Sequence, residues 1–349
     1  MAITEIIRLD PSSFLEEQLL PAARVIKAGG LVAFPTETVY GLGADALNEG
    51  AVRRIYEVKG RPLDNPVIVH ICSMEQLGLL SSHVPEKAYR LAERFWPGPL
   101  TIVVRKSPRV PYAVTAGLET LAVRMPAHPV ALKLIELSSP IAAPSANPSG
   151  RPSPTRGEHV VKDLSSKVEV IIDAGETLYG VESTIVDLLS EPPLLLRPGA
   201  YPLEEIERVL GEKVVVPDFA RGLVEASRAL APGMKHRHYA PKTPLILVEA
   251  REYSQLEAYA SAVRREAERH ERVVVLASKE TARFYEGLRV IELGSRSDLF
   301  SVAKTLFDAL RKVDELGVDA AIAEGFEERG LGLAIMNRLR RASSRRVVV

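Results

Sequence analysis

The stretch Lys59-Gly60-Arg61-Pro62-Leu63-Asp64-Asn65-Pro66-Val67-Ile68-Val69-His70 sets two cations one residue apart in a turn broken by glycine and proline. It then runs at once into a short β-branched segment that ends in histidine. Neither charge can be buried without a partner, so a Lys-Gly-Arg turn has no place in a core. Anions suit such a pair, and phosphate is the commonest of them. A solvated loop ahead of a strand accounts for the same residues equally well. The surrounding chain has to choose.

Upstream, Leu15, Leu19, Leu20, Ala23 and Ile26 recur at helical spacing until Gly29-Gly30 stops them, and residues 31–34 read as a buried strand. That strand feeds Pro35-Thr36-Glu37-Thr38-Val39-Tyr40-Gly41-Leu42-Gly43, a polar, glycine-bearing turn at a strand end, where open α/β sheets bind ligands. Asn48 suits the N-cap of a helix carrying Val52, Ile55 and Tyr56, which delivers the chain to Lys59. Downstream, residues 67–71 read as strand, 86–95 as an amphipathic helix closed by Trp96-Pro97-Gly98-Pro99, and 100–104 and 120–126 as strands. Arg124, near the exit of an otherwise apolar strand, has the mark of a site residue. The Pro/Ser/Gly loop running to Thr155 is poor in residues that pack, and such loops in compact domains are functional or mobile. Strands over 168–172 and 194–196 follow, the second leading into Arg197, and residues 214–216 read as one more short strand. Thr36, His70, Arg124, Ser145, Ser183 and Arg197 thus each stand at a strand end or just beyond it. Singly, each has an ordinary structural explanation, since Ser and Thr cap turns. Together they outline a site.

Lys+Arg and Asp+Glu balance at 45 each over 349 residues, so no overall field draws the chain to nucleic acid or to anionic membrane. Any anion site must come from local clustering. Glu5, Arg8 and Asp10 interrupt the N-terminal apolar stretch, no run is long enough to span a bilayer, and the single cysteine, Cys72, cannot form an internal disulfide. The expected setting is the cytoplasm, with no membrane partner.

Beyond residue 244 the pattern alternates: strand 245–248, helix 254–270, strands 273–276 and 290–293, helix 299–316, strand 320–323, helix 331–341. That order implies a parallel sheet with helices on its faces. No Gly-x-Gly-x-x-Gly follows its first strand, which leaves dinucleotide binding unsupported. His236-x-His238 lacks further ligands at a recognisable spacing, so no metal site is expected. The arginines at 338, 340, 341, 345 and 346 read first as a solvated helix end and second as a contact for RNA or a partner.

The motifs Pro35–Leu42, Lys59-Gly60-Arg61-Pro62 and Ser145-Ala146-Asn147-Pro148-Ser149-Gly150 resemble the signatures of the YrdC-like domain. Ala231-Pro232-Gly233-Met234-Lys235-His236-Arg237-His238-Tyr239-Ala240-Pro241 is similar to the linker of the two-domain threonylcarbamoyl-AMP synthases. The resemblance implies an α/β fold: an N-terminal YrdC-like domain over 1–211, with a twisted mixed sheet and a large concave cavity. A linker over 212–243 would lie across that cavity, and a smaller Rossmann-like parallel α/β domain would occupy 244–349. It implies synthesis of L-threonylcarbamoyladenylate from L-threonine, bicarbonate and ATP, with Mg2+ accompanying ATP and pyrophosphate released. The product would be handed to the enzyme that modifies the adenosine beside the anticodon in tRNAs reading codons that begin with A. Direct tRNA binding has only the C-terminal arginines in its favour.

Carried over position by position, Lys59 and Arg61 would act catalytically on the phosphates. Asn65, Thr120, Asn147, Thr155, Arg197, His236 and Tyr239 would complete the ATP site. Thr36, His70, Arg124, Ser145 and Ser183 would hold threonine, Arg124 by a two-pronged grip on the carboxylate. A non-catalytic RNA-binding or RNA-maturation module using the same cavity is the rival reading, against which stand the neutral net charge and the lack of interleaved aromatics. Carbamoyl transfer to another acceptor is a further possibility that would be indifferent to threonine.

Overall fold

The computed structural model describes residues 3–234 and 238–349. Its first region is built on a mixed sheet of eleven strands. Gly41–Asp45, Ile141–Ala142, Val69–His70 and Thr120–Arg124 lie side by side at the centre. The first three pair antiparallel in turn, and the last two run parallel with His70 in register with Arg124. On one flank, Leu100–Lys106, Thr184–Asp187 and Leu194–Arg197 continue the sheet and bring Arg197 opposite Ile185. On the other, Val32–Phe34, Val170–Asp173 and Glu5–Arg8 follow in turn, and Ser81–His83, paired antiparallel with Leu100–Lys106 off this path, is the eleventh strand.

The turn at Lys59 is a helix terminus. The helix Glu49–Lys59 starts at Asn48, whose side chain accepts from the Ala51 amide at 3.1 Å, and stops at Gly60, where φ is 59°. Glycine occupies this left-handed conformation without the Cβ penalty other residues meet. The Arg61 amide then folds back to the Tyr56 carbonyl at 2.9 Å, turning Arg61 off the helix axis.

Several expectations need correction here. The glycine-bearing turn after Phe34 ends earlier than its composition implies, because Gly41–Asp45 is a central strand. Its glycines serve packing: a Cβ on Gly43 would stand 2.6 Å from Ile141 and 2.7 Å from Phe34. The strand over 67–71 contracts to Val69–His70, and residues 214–216 make only an isolated bridge, Val215 to Leu194.

The second region carries an all-parallel sheet of five strands, in the order Arg289–Gly294, Val273–Ser278, Ala320–Glu324, Leu245–Glu249, Arg345–Val348. The last strand falls in what the sequence presents as a basic tail. Its charges are those of an edge strand, where one side of the backbone is unpaired and charge discourages association. Helix Leu256–Ala267 packs on one face; Leu299–Val313 and Gly332–Ala342 pack on the other. The latter core also contains Val39, Val181 and Ala200 of the first region and Tyr239 of the linker, so the two regions share buried apolar surface.

The arginines of Gly332–Ala342 are accordingly not a solvated patch. Arg338 is wholly buried and pairs with Glu182 at 2.9 Å, and Arg340 pairs with Glu249 and Glu328, each at 2.6 Å. Arg341 donates to the Phe219 and Met234 carbonyls at 2.9 and 3.0 Å, and Arg345 pairs with Glu266. Of this set Arg346 is left exposed without a described partner. No helix of the described residues is long and apolar enough to cross a membrane.

Candidate functional site

The strand ends converge. A cavity opens where Val69–His70, Thr120–Arg124 and Leu194–Arg197 leave the sheet, lined also by Thr36, Thr38 and Ser145 and by linker residues Pro232, Gly233, His238 and Tyr239. Of the residues singled out from sequence, Thr36, Arg61, His70, Arg124, Ser145, Ser183, Arg197 and Tyr239 line it. Arg61, Arg124 and Arg197 reach it from three separate segments, whereas Glu182 is the carboxylate on its wall among the described residues.

Each arginine is held by its own scaffold. Arg61 is locked by its segment, with Nε on the Asn65 carbonyl at 3.0 Å and Nη2 on the Pro66 carbonyl at 2.8 Å. Burial draws its pKa down to about 10, which leaves it a cation at neutral pH. Arg197 donates from Nε and Nη2 to the Ser183 carbonyl at 3.1 and 3.0 Å, and from Nη2 to Ser183 Oγ at 3.1 Å. The Ser183 hydroxyl also meets Thr101 Oγ1 at 2.7 Å.

Arg124 is more engaged than a bare carboxylate receptor. Its Nε donates to the Gly98 carbonyl at 3.3 Å, Nη1 to Thr38 Oγ1 at 3.0 Å, and Nη2 lies 2.7 Å from Glu37 Oε1. A two-pronged grip on a substrate carboxylate therefore competes with Glu37, a buried partner that the sequence reading passed over.

His70 sits beside Arg124 with its ring edge-on to Phe34 at 6.1 Å. Burial, and then the Arg124 charge, push its pKa down to about 3, so the imidazole is neutral. Its Nδ1 has no partner among the described residues. Thr36 is committed to its turn: its hydroxyl donates to the Val39 carbonyl at 2.6 Å and accepts from the Thr38 amide at 3.2 Å.

Lys59, Asn65, Asn147, Thr155 and Thr120 do not reach the cavity surface in this structure. Lys59 is buried, and its ammonium donates to the Ser145 carbonyl at 2.5 Å and to the Asn147 carbonyl. The Ser149 amide returns a bond to the Lys59 carbonyl at 2.8 Å, so this lysine pins the Ser145–Ser149 loop to the helix end. Burial, reinforced by Arg61, holds its pKa well below the usual lysine value. Asn65 is buried with both amide atoms unpartnered among the described residues; Asn147 Oδ1 and Thr155 Oγ1 are likewise orphaned. Buried polar atoms of this kind call for a bound group or water. Thr120 opens the strand that Arg124 closes, so the two occupy opposite ends of one strand. His236 lies outside the described residues.

Glu182 and His238 were missed. The sequence weighs His238 only together with His236 as a metal pair that lacks further ligands, whereas the linker presents His238 to the cavity. Glu182 adjoins Ser183 at the same strand entrance, and nothing local marks it. Tyr239, at a φ of 65°, places its ring 5.2 Å from Phe307 of the second region.

A mixed sheet with arginines at its strand ends and a second α/β unit behind a linker defines a two-domain protein of the YrdC-like class. Residues 24–199 match the family model shared by Sua5, YciO and YrdC, described as "Telomere recombination", and residues 201–344 match "Threonylcarbamoyl-AMP synthase, C-terminal domain". The chain belongs to the threonylcarbamoyl-AMP synthase family. It is 54% identical over 328 residues to the threonylcarbamoyl-AMP synthase of Pyrococcus abyssi, covering 94% of each chain. It is 47% identical to that of Bacillus subtilis, covering 97% of this chain and 96% of the relative. The crystal structure of P. abyssi Sua5 complexed with L-threonine matches with a TM-score of 0.91 at 52% identity, over 100% of both chains.

Proposed function

We propose that the chain catalyses ATP-dependent formation of L-threonylcarbamoyladenylate from L-threonine and bicarbonate, releasing pyrophosphate. The observation that carries the reading is the convergence of Arg61, Arg124 and Arg197 with a neutral His70 in one cavity, in a chain whose full-length relatives are threonylcarbamoyl-AMP synthases.

The threonine amine and bicarbonate form a carbamate with loss of water. A carbamate oxygen then attacks the α-phosphorus of ATP, forming a mixed anhydride as the bond to pyrophosphate breaks. Three anionic groups must be brought together, so like-charge repulsion dominates the barrier and fixed cations oppose it. Positioning does most of the remaining work, as in other transfers at phosphorus. Arg61 and Arg197 face the phosphates, and Arg124 meets the threonine carboxylate while holding Glu37. His70, neutral, can accept from the amine or the hydroxyl without adding charge. Lys59 acts at one remove, by seating the loop that carries Ser145.

Tyr239, with the linker, screens the anhydride from water. Among the described residues no three His, Cys, Asp or Glu gather as metal ligands. Magnesium would accompany ATP as part of that substrate and would supply charge neutralisation to the leaving pyrophosphate. The product, a reactive anhydride, is handed to an enzyme that transfers threonylcarbamoyl to tRNA.

Pyrophosphate release measured with and without threonine and bicarbonate, in the absence of RNA, tests the reading. Release that requires both substrates is expected. RNA binding without release would support a non-catalytic module, and release indifferent to threonine would point to another carbamoyl acceptor.

A further inference from the structure

A side chain of the second domain stands behind the cavity wall, against the lining residue Glu182. Arg338, on helix Gly332–Ala342, is wholly buried and donates from Nε and Nη2 to Glu182 Oε2 at 3.0 and 2.9 Å. Its Nη1 donates to the Pro198 carbonyl and to Asn337 Oδ1, the latter at 3.2 Å. The guanidinium also stands 5.6 Å from the centre of the Tyr239 ring. Glu182 takes one further bond, from Ser153 Oγ to its other oxygen at 2.6 Å.

A carboxylate on the wall of a cavity built for anions is a liability. Glu182 precedes Ser183, the residue that anchors Arg197. Left uncompensated, it would repel substrate and draw Arg197 towards itself. The first domain supplies Glu182 with a hydroxyl, and the second domain supplies the charge.

We propose that Arg338 is a positioning residue for the nucleotide site: it neutralises Glu182 from behind the wall, seats the ring of Tyr239, and so keeps Arg197 available to anionic substrate. The inference rests on the ATP-dependent reading above. It assigns the C-terminal domain a chemical task in addition to its packing. Burial raises the Glu182 pKa, but Arg338, then Arg197 and Ser153, more than reverse this, so the group is a carboxylate and the pairing is ionic.

The test is a charge-balance cycle in the full-length chain, with ATP as the probe. Wild-type chain is titrated with ATP by calorimetry first. Failure of wild type to bind overturns the functional reading itself, and is thereby separated from failure of the present inference. With wild type binding, Arg338→Met is expected to weaken ATP affinity by about tenfold or more, with KM for ATP moving further than kcat. Arg338→Met combined with Glu182→Gln is expected to recover affinity to within about threefold of wild type, and Arg338→Lys to fall between.

An arginine that merely glues the interface would lower the melting temperature and leave ATP affinity and KM alone. That result overturns the proposal, as does a double variant that binds no better than Arg338→Met. Should Arg338→Met not fold, Glu182→Gln alone decides. Removing the charge is expected to tighten ATP binding by about twofold to tenfold, and unchanged or weaker binding overturns the proposal.

Discussion

Arg124 and Glu37 form a buried ion pair at 2.7 Å inside the candidate site. The two charges are carried by different segments, a strand end and the turn after Phe34, and the pair fixes where the guanidinium points. Removing one partner of a buried pair leaves the other charge uncompensated. Glu37→Gln is therefore expected to cost about 3 kcal/mol of stability, and to raise KM for threonine more than KM for ATP. Urea unfolding and steady-state pyrophosphate release measure the two effects. An equal rise in both KM values would argue against a threonine-specific role for Arg124.

Lys59 and Arg61, adjacent in sequence motif, separate in their effects. Lys59→Met keeps the apolar stem and deprives the Ser145 and Asn147 carbonyls of their donor. A loss of about 1–3 kcal/mol in stability is expected, with weaker threonine binding through the displaced loop. Arg61→Lys keeps the charge but loses the planar fork that bonds the Asn65 and Pro66 carbonyls. Its KM for ATP is expected to rise about tenfold. If both variants moved the ATP parameters alike, the division of labour would be wrong.

Acid should destabilise the chain through a buried histidine, His70, and a half-buried one, His128. Burial, then Arg124, lowers the His70 pKa to about 3, and burial lowers that of His128 to about 4. Both stay neutral when folded in a range where the unfolded chain, with histidine pKa near 6.5, takes up protons. Their stabilising contribution is full above about pH 6.5 and falls as pH drops towards the folded values. Near pH 5 the slope approaches about 2.7 kcal/mol per pH unit if both act. Urea midpoints at pH 7, 6 and 5 should show it, with about half the slope lost in His70→Gln.

Asp314 of the second region ties two site segments together. Its carboxylate accepts from the Lys242 and Thr243 amides at 3.1 and 3.0 Å and pairs with Arg151 of the Ser145–Arg151 loop. Asp314→Ala is expected to leave the chain folded at a cost of about 2 kcal/mol. Amide exchange should rise in the segment 239–243 and in the loop near Arg151. Exchange confined to helix Leu299–Val313 would show that the aspartate does not restrain them.

The sequence by itself determined most of the helices and several strands, because helical spacing, caps and the Gly60 turn are local properties of the chain, but not the strands Gly41–Asp45 and Arg345–Val348. It also picked out most of the polar residues that meet in the cavity: charge and hydroxyls at strand exits stand out against apolar runs. Only the tertiary structure decided which of them face the cavity and which support it. Lys59 and Arg61 look equivalent as written, yet a left-handed glycine between them sends one ammonium to loop carbonyls and the other side chain to the cavity. His70 and Arg124 become neighbours through parallel register, which no spacing along the chain encodes. Glu37, Glu182 and Arg338 acquire their roles through partners far away in sequence, and the arginines of the last helix looked solvated for the same reason. Burial and pairing are properties of the assembled neighbourhood, and for these charges they decided the role.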